Sequence, residues 1–347
     1  MANAQTIRDI VMRRQIEPER WERRFSFADL ENDIDQKEIK DAVSAVESVR
    51  RVLFRDESDI SMILEDFSVA QYGRLTNGGD VLFTTNPAFR LPQTRIRAMC
   101  YSSDKAGDKF SDMKSFEGPL HRIFESAYSF IVRNTSSIST FIKGSPKRLD
   151  TPLYPEEAVR EALINALAHR DYSAASGGVS IHVYPHRLEI SNSGALPEGV
   201  TEQSLLKGQI SILRNPDIAH VLYLRGLMEK AGRGSVLMVQ KCLEYGLPSP
   251  FWQSDPKLGV TVTFSTTEVT TEVIKLLKRF KGEMSRGELQ QAMELSNAEH
   301  FRKSYLNPAL QFNVIEMTIP EKPTSSKQKY RLSAIGEQIL AGFNNHR

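Results

Sequence analysis

Cysteine is nearly absent from this chain: among 347 residues only Cys100 and Cys242 occur, far apart in the sequence. That excludes a disulfide framework and a cysteine-based zinc site, and it suits the reducing cytoplasm. Long apolar runs are missing as well. Nothing approaches the roughly 20 residues of a membrane span, and the opening MANAQTIRDIVMRRQ lacks the apolar core of a signal peptide. Charge of one sign is not in excess: the formal net charge of +2 is too small to argue by itself for nucleic acid or an acidic partner. No Gly-Lys pair occurs anywhere, so there is no Walker-type phosphate loop. Internal repeats and long low-complexity tracts are also lacking. These absences point to a soluble cytoplasmic protein with no membrane partner, long enough for two or three domains.

Against this background the segment EALINALAHRDY, Glu161 to Tyr172, carries the most information. It reads as a helix on which Glu161, Asn165 and His169 follow one another at four-residue spacing, which puts them along one side. Val159, Leu163, Ile164, Ala166 and Leu167 make most of the remaining circumference apolar, so the helix is expected to be buried. A carboxylate, an amide and an imidazole on a buried helix need partners, because an unpaired buried polar group costs about 1–3 kcal/mol. A ligand is one such partner. A satisfied structural network is the other.

Periodicity places further elements around this helix. Asp35–Leu53 and Ser58–Phe67 read as helices. LTNGGDVLFT reads as a turn at Gly78–Gly79 followed by an apolar strand. Thr94–Ser102 alternates as a strand, and FEGPLHRIFESAYSFIVRNT is an amphipathic helix. SSISTFIKGSPKRLDTPLYP reads as a linker-like crossing, with Pro155 near the start of the polar-striped helix. VSIHVYPHRLEISNSG reads as a β-hairpin, Val179–Tyr184 and Arg187–Ser191. A loop and helix follow through SLLKGQISILRNPDIAHVLYLRGLMEK. A glycine-rich turn then enters a helix in AGRGSVLMVQKCLEYG, and GVTVTFS is a closing strand.

Three of these segments occur in an informative order: a helix with Glu161 and Asn165, a strand ending in Asn192-Ser193-Gly194, and the turn Gly232-Arg233-Gly234 opening a helix. Together they resemble the GHKL nucleotide-binding family. REALINALAHRDY, EISNSGALPEG, RNPDIAHVL and EKAGRGSVLMVQKCLEYGLPSP look like its divergent branch in bacterial proteins labelled RecG-related, over roughly residues 64–264. The resemblance implies Mg2+-ATP as ligand. Glu161 would polarise the attacking water, and Asn165 would ligate Mg2+, with His169 beside it. Asn192 stands where an adenine-reading Asp usually sits, and Gly194 admits the base. By the same resemblance Arg214 and Asn215 would belong to a loop over the phosphates, which Gly232 and Gly234 would contact through backbone, with Arg233 nearby. Glycine permits close approach to an anion, and N–H groups at a helix start bind phosphate. The Asn for Asp departure bears on base selectivity, and the short glycine box on hydrolysis. Any ATPase would be weak, and no helicase engine is present. His169-Arg170-Asp171 also spells a protein-kinase triplet, but the surrounding kinase motifs are absent.

From Thr270 the pattern changes to three short helices, with capping boxes at Ser285/Glu288 and Ser296/Glu299, then a hairpin around EKPTSSK. This is the winged-helix plan. It is similar to the C-terminal winged helix shared by such GHKL proteins and some Fic proteins. The third helix would present Asn297, His300, Arg302 and Lys303. The wing would present Lys322, Lys327, Lys329 and Arg331. Both suit contacts to DNA phosphates or base edges, and protein docking is the alternative.

The expected fold class is thus α+β: a GHKL-type α/β sandwich followed by a winged helix. Its parts are a helical N-terminal segment (1–62), an α/β lead-in (63–150), the ATP-binding domain (151–266) and the winged helix (270–342). Residues 1–30 resemble the tail that follows a Schlafen/AlbA-type domain in relatives. The implied function is ATP-binding, DNA-associated transcription regulation. A degenerate pocket on a DNA-binding regulator, or an interaction scaffold, are the alternatives. Homodimerisation fits the family, though no residue here fixes it.

Overall fold

The computed structural model describes residues 20–50, 53–103, 109–135, 137–141, 148–174, 177–208, 212–228, 232–245, 247–266, 271–312, 314–323, 325, 327–333, 336–337 and 340. Residues 1–19, where part of the N-terminal helical expectation falls, lie outside them. The chain divides into two compact units, Met1–Phe264 and Ser265–Arg347.

The first unit begins with α1 (Gln36–Val49), which buries Ile39, Ala42 and Val46 at helical spacing. The Asp35 side chain caps it by accepting the Glu38 N–H, and α2 (Ile60–Asp66) is capped likewise by Asp59. The two-residue strands β1 (Ala70–Gln71) and β2 (Arg74–Leu75) pair antiparallel. Next comes α3 (Asn77–Phe83), where the sequence reading expected a turn and an apolar strand. The Thr76 hydroxyl caps α3 by accepting from the Gly79 N–H. Gly79 serves packing rather than turning, because a Cβ there would lie 2.5 Å from the Val69 carbonyl oxygen.

β3 (Ile96–Tyr101) and β4 (Phe110–Phe116) lead into α4 (Leu120–Asn134). The expected linker is in part a hairpin: β5 (Ser137–Phe141) pairs antiparallel with β6 (Arg148–Pro152), from Ser137 opposite Pro152 to Phe141 opposite Arg148. Pro152 ends β6 and Pro155 precedes the next helix, so neither interrupts a strand interior. There follow α5 (Glu156–Ala168), β7 (Val179–Val183), β8 (Arg187–Asn192), α6 (Glu202–Lys207), α7 (Pro216–Leu224), α8 (Gly234–Glu244), β9 (Phe251–Asp255) and β10 (Gly259–Ser265).

Six strands form one sheet in the order β4-β3-β7-β8-β10-β9. The β3–β7 pair is parallel, whereas β3–β4, β7–β8 and β9–β10 are antiparallel, so the sheet is mixed. Residues alternate between its faces: Val179, Ile181 and Val183 of β7 are buried, as are Leu188, Ile190 and Asn192 of β8. α4 and α5 pack on the sheet. Their apolar stripes join α1–α3 and the inward strand residues in one continuous core. Each fully buried Leu, Ile, Val or Phe there contributes about 1.5–3 kcal/mol.

The second unit has α9 (Thr271–Leu277), α10 (Arg286–Ala292), and a helical run made of α11 (Ala298–Phe301), a π-type stretch Arg302–Leu306 and α12 (Asn307–Gln311). β11 (Met284–Ser285), β12 (Ile315–Met317) and β13 (Lys329–Leu332) form an antiparallel sheet in the order β11-β13-β12. Val273, Leu276, Leu289, Phe301, Leu306 and Ile315 lie in its separate core. Ser285 and Glu288 form the expected capping box. The other expected box does not form: Asn297, not Ser296, caps α11 by accepting the His300 N–H at 2.9 Å, with no return bond.

Asp80 is fully buried in the first unit and accepts from Ser26 Oγ (2.5 Å), Thr84 Oγ1 (2.7 Å), and Arg90 Nε (2.9 Å) and Nη2 (2.8 Å). Asp80→Ala removes the carboxylate that Ser26, Thr84 and Arg90 share, and leaves the Arg90 guanidinium with Asp33 and the Thr84 hydroxyl as partners. Urea unfolding is expected to show a loss of about 3 kcal/mol. A loss within experimental error would contradict this role.

Candidate functional site

Pro155 precedes α5, and the helix ends at Ala168, earlier than the sequence reading allowed. His169 is therefore its C-cap residue, with its N–H bonded to the Asn165 carbonyl at 2.9 Å. Glu161 is buried, and Asn165 and His169 are half-buried. The Asn165 amide donates through Nδ2 to Glu161 Oε1 at 3.0 Å. Burial first, and then the Arg214 guanidinium, holds the His169 imidazole below its ordinary pKa.

At the end of β8, Asn192 is buried and its Nδ2 donates to the Ser193 carbonyl at 3.2 Å. Gly194 follows at φ +96°. A Cβ there would lie 2.9 Å from Asp171 Cβ and 3.0 Å from Arg214 Cζ, so glycine is needed both for the turn and for this approach. Arg214 Nη2 donates to the Ala195 carbonyl at 2.7 Å, and Nη1 stands 3.7 Å from Asp171. Gly232, at φ +61°, precedes α8. Gly234 starts α8 so close to α5 that an added Cβ would collide with the Glu161 carboxylate and lie 3.1 Å from Asn165 Nδ2.

These segments surround one cavity. Glu161, Asn165, His169, Asn192, Gly194, Arg214, Gly232 and Gly234 all line it. Ile190, Met228, Met238, Trp252, Val260 and Val262 add an apolar wall. The cavity thus offers a polar side to charged or hydrogen-bonding groups and an apolar side to a flat ring. Two anticipated residues do not line it. Arg233 stands at the N-cap position of α8. Asn215 is buried and turned elsewhere, donating to the Ala168 carbonyl at 2.9 Å and the Arg170 carbonyl at 2.7 Å. It satisfies carbonyls left open at the end of α5.

Trp252, Met228 and the Leu196–Pro197 pair were missed by sequence reasoning. β9 carries Trp252. Its five residues FWQSD show no clear period, and their one signal was their place across a Pro-containing turn from GVTVTFS, which alone was recognised as a strand. The seven anticipated positions in the second unit, Asn297, His300, Arg302, Lys303, Lys327, Lys329 and Arg331, are all exposed. Lys303 pairs with Glu299 at 2.9 Å and Arg331 with Glu316 at 2.5 Å.

Among the described residues no group of three or more His, Cys, Asp or Glu is arranged to hold a metal ion. No described helix is long and apolar enough to cross a membrane.

Two family models match parts of the chain. Residues 177–264 match the one described as "Putative ATP-dependent DNA helicase recG C-terminal", an ATPase-like domain. Residues 271–333 match "Filamentation induced by cAMP protein Fic-like, C-terminal domain". The first match covers the β8 turn, Arg214 and the glycine turn, and begins after α5. No curated protein matches the chain significantly. Among solved structures, the DIP2311 protein from Corynebacterium diphtheriae superimposes with a TM-score of 0.60 at 16% identity, covering 95% of this chain and 68% of that one. At that identity the likeness is one of fold. A Fic family protein from Desulfovibrio desulfuricans G20, at 14% identity and covering 86% and 75% of the two chains, reaches a TM-score of 0.20, which carries no argument.

Alanine normally favours a helix over glycine by about 1 kcal/mol, but at position 234 the methyl group displaces the buried Glu161 carboxylate from the Asn165 amide. Gly234→Ala is expected to destabilise the protein by about 1–3 kcal/mol, measured by thermal or urea unfolding. A stabilised variant would refute the close approach. His169 generates a second prediction. Its folded pKa is depressed, so the unfolded chain protonates first as pH falls. The stability it contributes is complete above the unfolded value near 6.5 and is lost as pH drops through the folded value. Between pH 6.5 and 5.5 the wild-type chain should lose more stability than His169→Gln. Equal slopes would show that the ring titrates as freely folded as unfolded.

Proposed function

We propose that the chain is an ATP-binding regulator: a GHKL-type pocket in the first unit takes Mg2+-ATP, and a winged helix in the second contacts DNA or a partner. The observation that carries this reading is the convergence of Glu161, Asn165, Asn192, Gly194, Arg214, Gly232 and Gly234 on one cavity with an apolar wall. The ATPase-like match over residues 177–264 supports it.

The residues fit the ligand chemically. An aromatic base suits the wall of Ile190, Met228, Trp252 and Val260. Asn192, whose Nδ2 is engaged by the Ser193 carbonyl, keeps an amide oxygen for the base edge. Arg214 and the backbone at Gly232 and Gly234 suit phosphates. Asn165 uses Nδ2 on Glu161, which leaves its amide oxygen for a hard cation. Mg2+ binds through few protein oxygens and shares the phosphates, so the lack of a multi-carboxylate cluster among the described residues is compatible with it. When bound, Mg2+ would neutralise phosphate charge. Glu161 is the base candidate for water, and any turnover is expected to be weak. Asn215 supports the site from behind rather than touching the ligand.

In the second unit, three helical stretches and a β-hairpin joined by a short third strand fit the winged-helix plan. Arg302, Lys327 and Lys329 are among its exposed cations. The Lys303–Glu299 and Arg331–Glu316 pairs favour a second reading, in which this unit docks a protein.

Isothermal titration with ATP and Mg2+ tests the pocket, and the absence of heat with the wild-type chain removes the idea. Glu161→Gln should retain binding and lower any hydrolysis by about 100-fold or more. Asn165→Ala should weaken only the Mg2+-dependent part. Duplex DNA binding should weaken steeply with salt and respond to nucleotide. Binding that ignores nucleotide would favour a degenerate pocket, and failure to bind DNA would favour protein docking.

A further inference from the structure

α7 begins directly after Arg214 and Asn215, and the Asn215 side chain does not cap it. The free N–H groups of its first turn are satisfied from far away in the chain. The buried Glu22 carboxylate accepts from the Asp217 N–H at 3.1 Å and the Ile218 N–H at 3.0 Å. A carboxylate at a helix N-terminus is also favoured by the helix dipole. Arg23 grips the Asp217 side chain with two bonds, at 2.7 and 3.2 Å, and Arg20 stands 3.7 Å from it. The neighbouring residue makes a second attachment: Trp21 stacks on Tyr172 with ring centroids 5.2 Å apart and planes 16° from parallel. Tyr172 is fully buried and lies three residues beyond His169. The Trp21 carbonyl is itself held by Asn77 Nδ2 at 3.1 Å.

Two separate stretches of the cavity wall, one leaving Arg214 and one leaving His169, therefore end on the same short turn, Trp21–Arg23. We infer that Trp21 and Glu22 are positioning residues of the cavity, so that docking of this turn and occupation of the cavity are thermodynamically coupled. The inference rests on the nucleotide reading for its ligand, but not for the coupling itself. If closure of the cavity around phosphates pulls on Arg214, the strain reaches the first turn of α7 and its cap. By reciprocity, whatever loosens Glu22 weakens ligand binding by the same factor. Sequence alone gave no sign of this, because residues 22 and 217 are joined only in the fold.

The test uses the full chain in two arms. In the first, ATP with Mg2+ is titrated into wild type, Glu22→Ala, Glu22→Gln and Val46→Ala. Val46 is buried in α1, away from the cavity, and its truncation controls for general destabilisation. Glu22→Ala should bind ATP about fivefold or more weakly. Glu22→Gln, which keeps an acceptor oxygen, should recover part of the loss, and Val46→Ala should bind like wild type despite a lower melting temperature. Equal affinity of Glu22→Ala and wild type overturns the inference. Absence of binding by wild type instead counts against the nucleotide reading, and the second arm then decides. Without nucleotide, Arg214→Ala should speed hydrogen exchange at the Asp217 and Ile218 amides by about threefold or more, the low end of the coupling between residues that share partners. Val46→Ala should not. Unchanged exchange in Arg214→Ala overturns the coupling whatever the ligand is.

Discussion

The cavity depends on the contact between Gly234 and Glu161. α5 and α8 approach so closely at this point that a single methyl group would meet the carboxylate. The first turn of a helix carries unpaired N–H groups and the positive end of the backbone dipole. Bringing that turn against α5 gives a carboxylate and an amide a favourable setting inside an otherwise apolar layer. Gly234 and Ser235 of the same turn line the cavity. On the far side, Gly194 plays the corresponding part. Its left-handed turn lets Asp171 and Arg214 close over the end of β8. Two glycines thus fix the separation of the walls, and the side chains between them set the chemistry.

Much of this was legible because its signals are local. The four-residue spacing of Glu161, Asn165 and His169 is a helical property, and the alternation in β7 and β8 is a strand property. Asn192-Ser193-Gly194 and Gly232-Arg233-Gly234 mark turns by composition. Where the reading failed, the deciding contact lies elsewhere in the chain. Gly78 and Gly79 spell a turn, yet Val69 and Leu75 press so close that glycine is needed inside α3. Asn215 was expected in a loop over the phosphates, yet the open carbonyls at the end of α5 claim its amide. β9 lacked a clear period over its five residues, so Trp252 went unnoticed beside the cavity. The resemblance supplied roles for these residues. The family match over 177–264 supports an ATPase-like domain, and Glu161 and Asn165 lie before it, so their roles belong to the proposal.

Buried charges away from the cavity behave differently. Asp80 meets Arg90, Glu38 meets Arg225 at 2.5 Å, and Glu22 meets backbone N–H groups. Burial still raises the pKa of Glu22 and Glu38, so desolvation outweighs their partners. Such groups add little net stability compared with apolar replacements, but breaking one is costly. Their effect is positional: each joins an N-terminal segment to a later part of the first unit, from Ser26 to α3, from α1 to Arg225, from Trp21–Arg23 to α7. The N-terminal elements also share the core of the sheet through apolar contacts of Ile39, Val46, Leu64 and Val81.

In the second unit the charge pattern bears on the kind of partner. The Lys303–Glu299 and Arg331–Glu316 pairs are exposed, and exposed pairs contribute only about 0–1 kcal/mol. A polyanion that releases counterions competes easily with partners held so weakly. Local pairing therefore leaves the cations available to phosphates at low cost. It does place carboxylates beside them, and these repel a phosphate chain wherever it strays from the favoured path. In the proposed reading, the acidic neighbours act on selectivity and register, while Arg302, Lys327 and Lys329 supply attraction. A protein partner would use the same mixed surface differently, matching both signs at once, and its binding would lose far less with added salt.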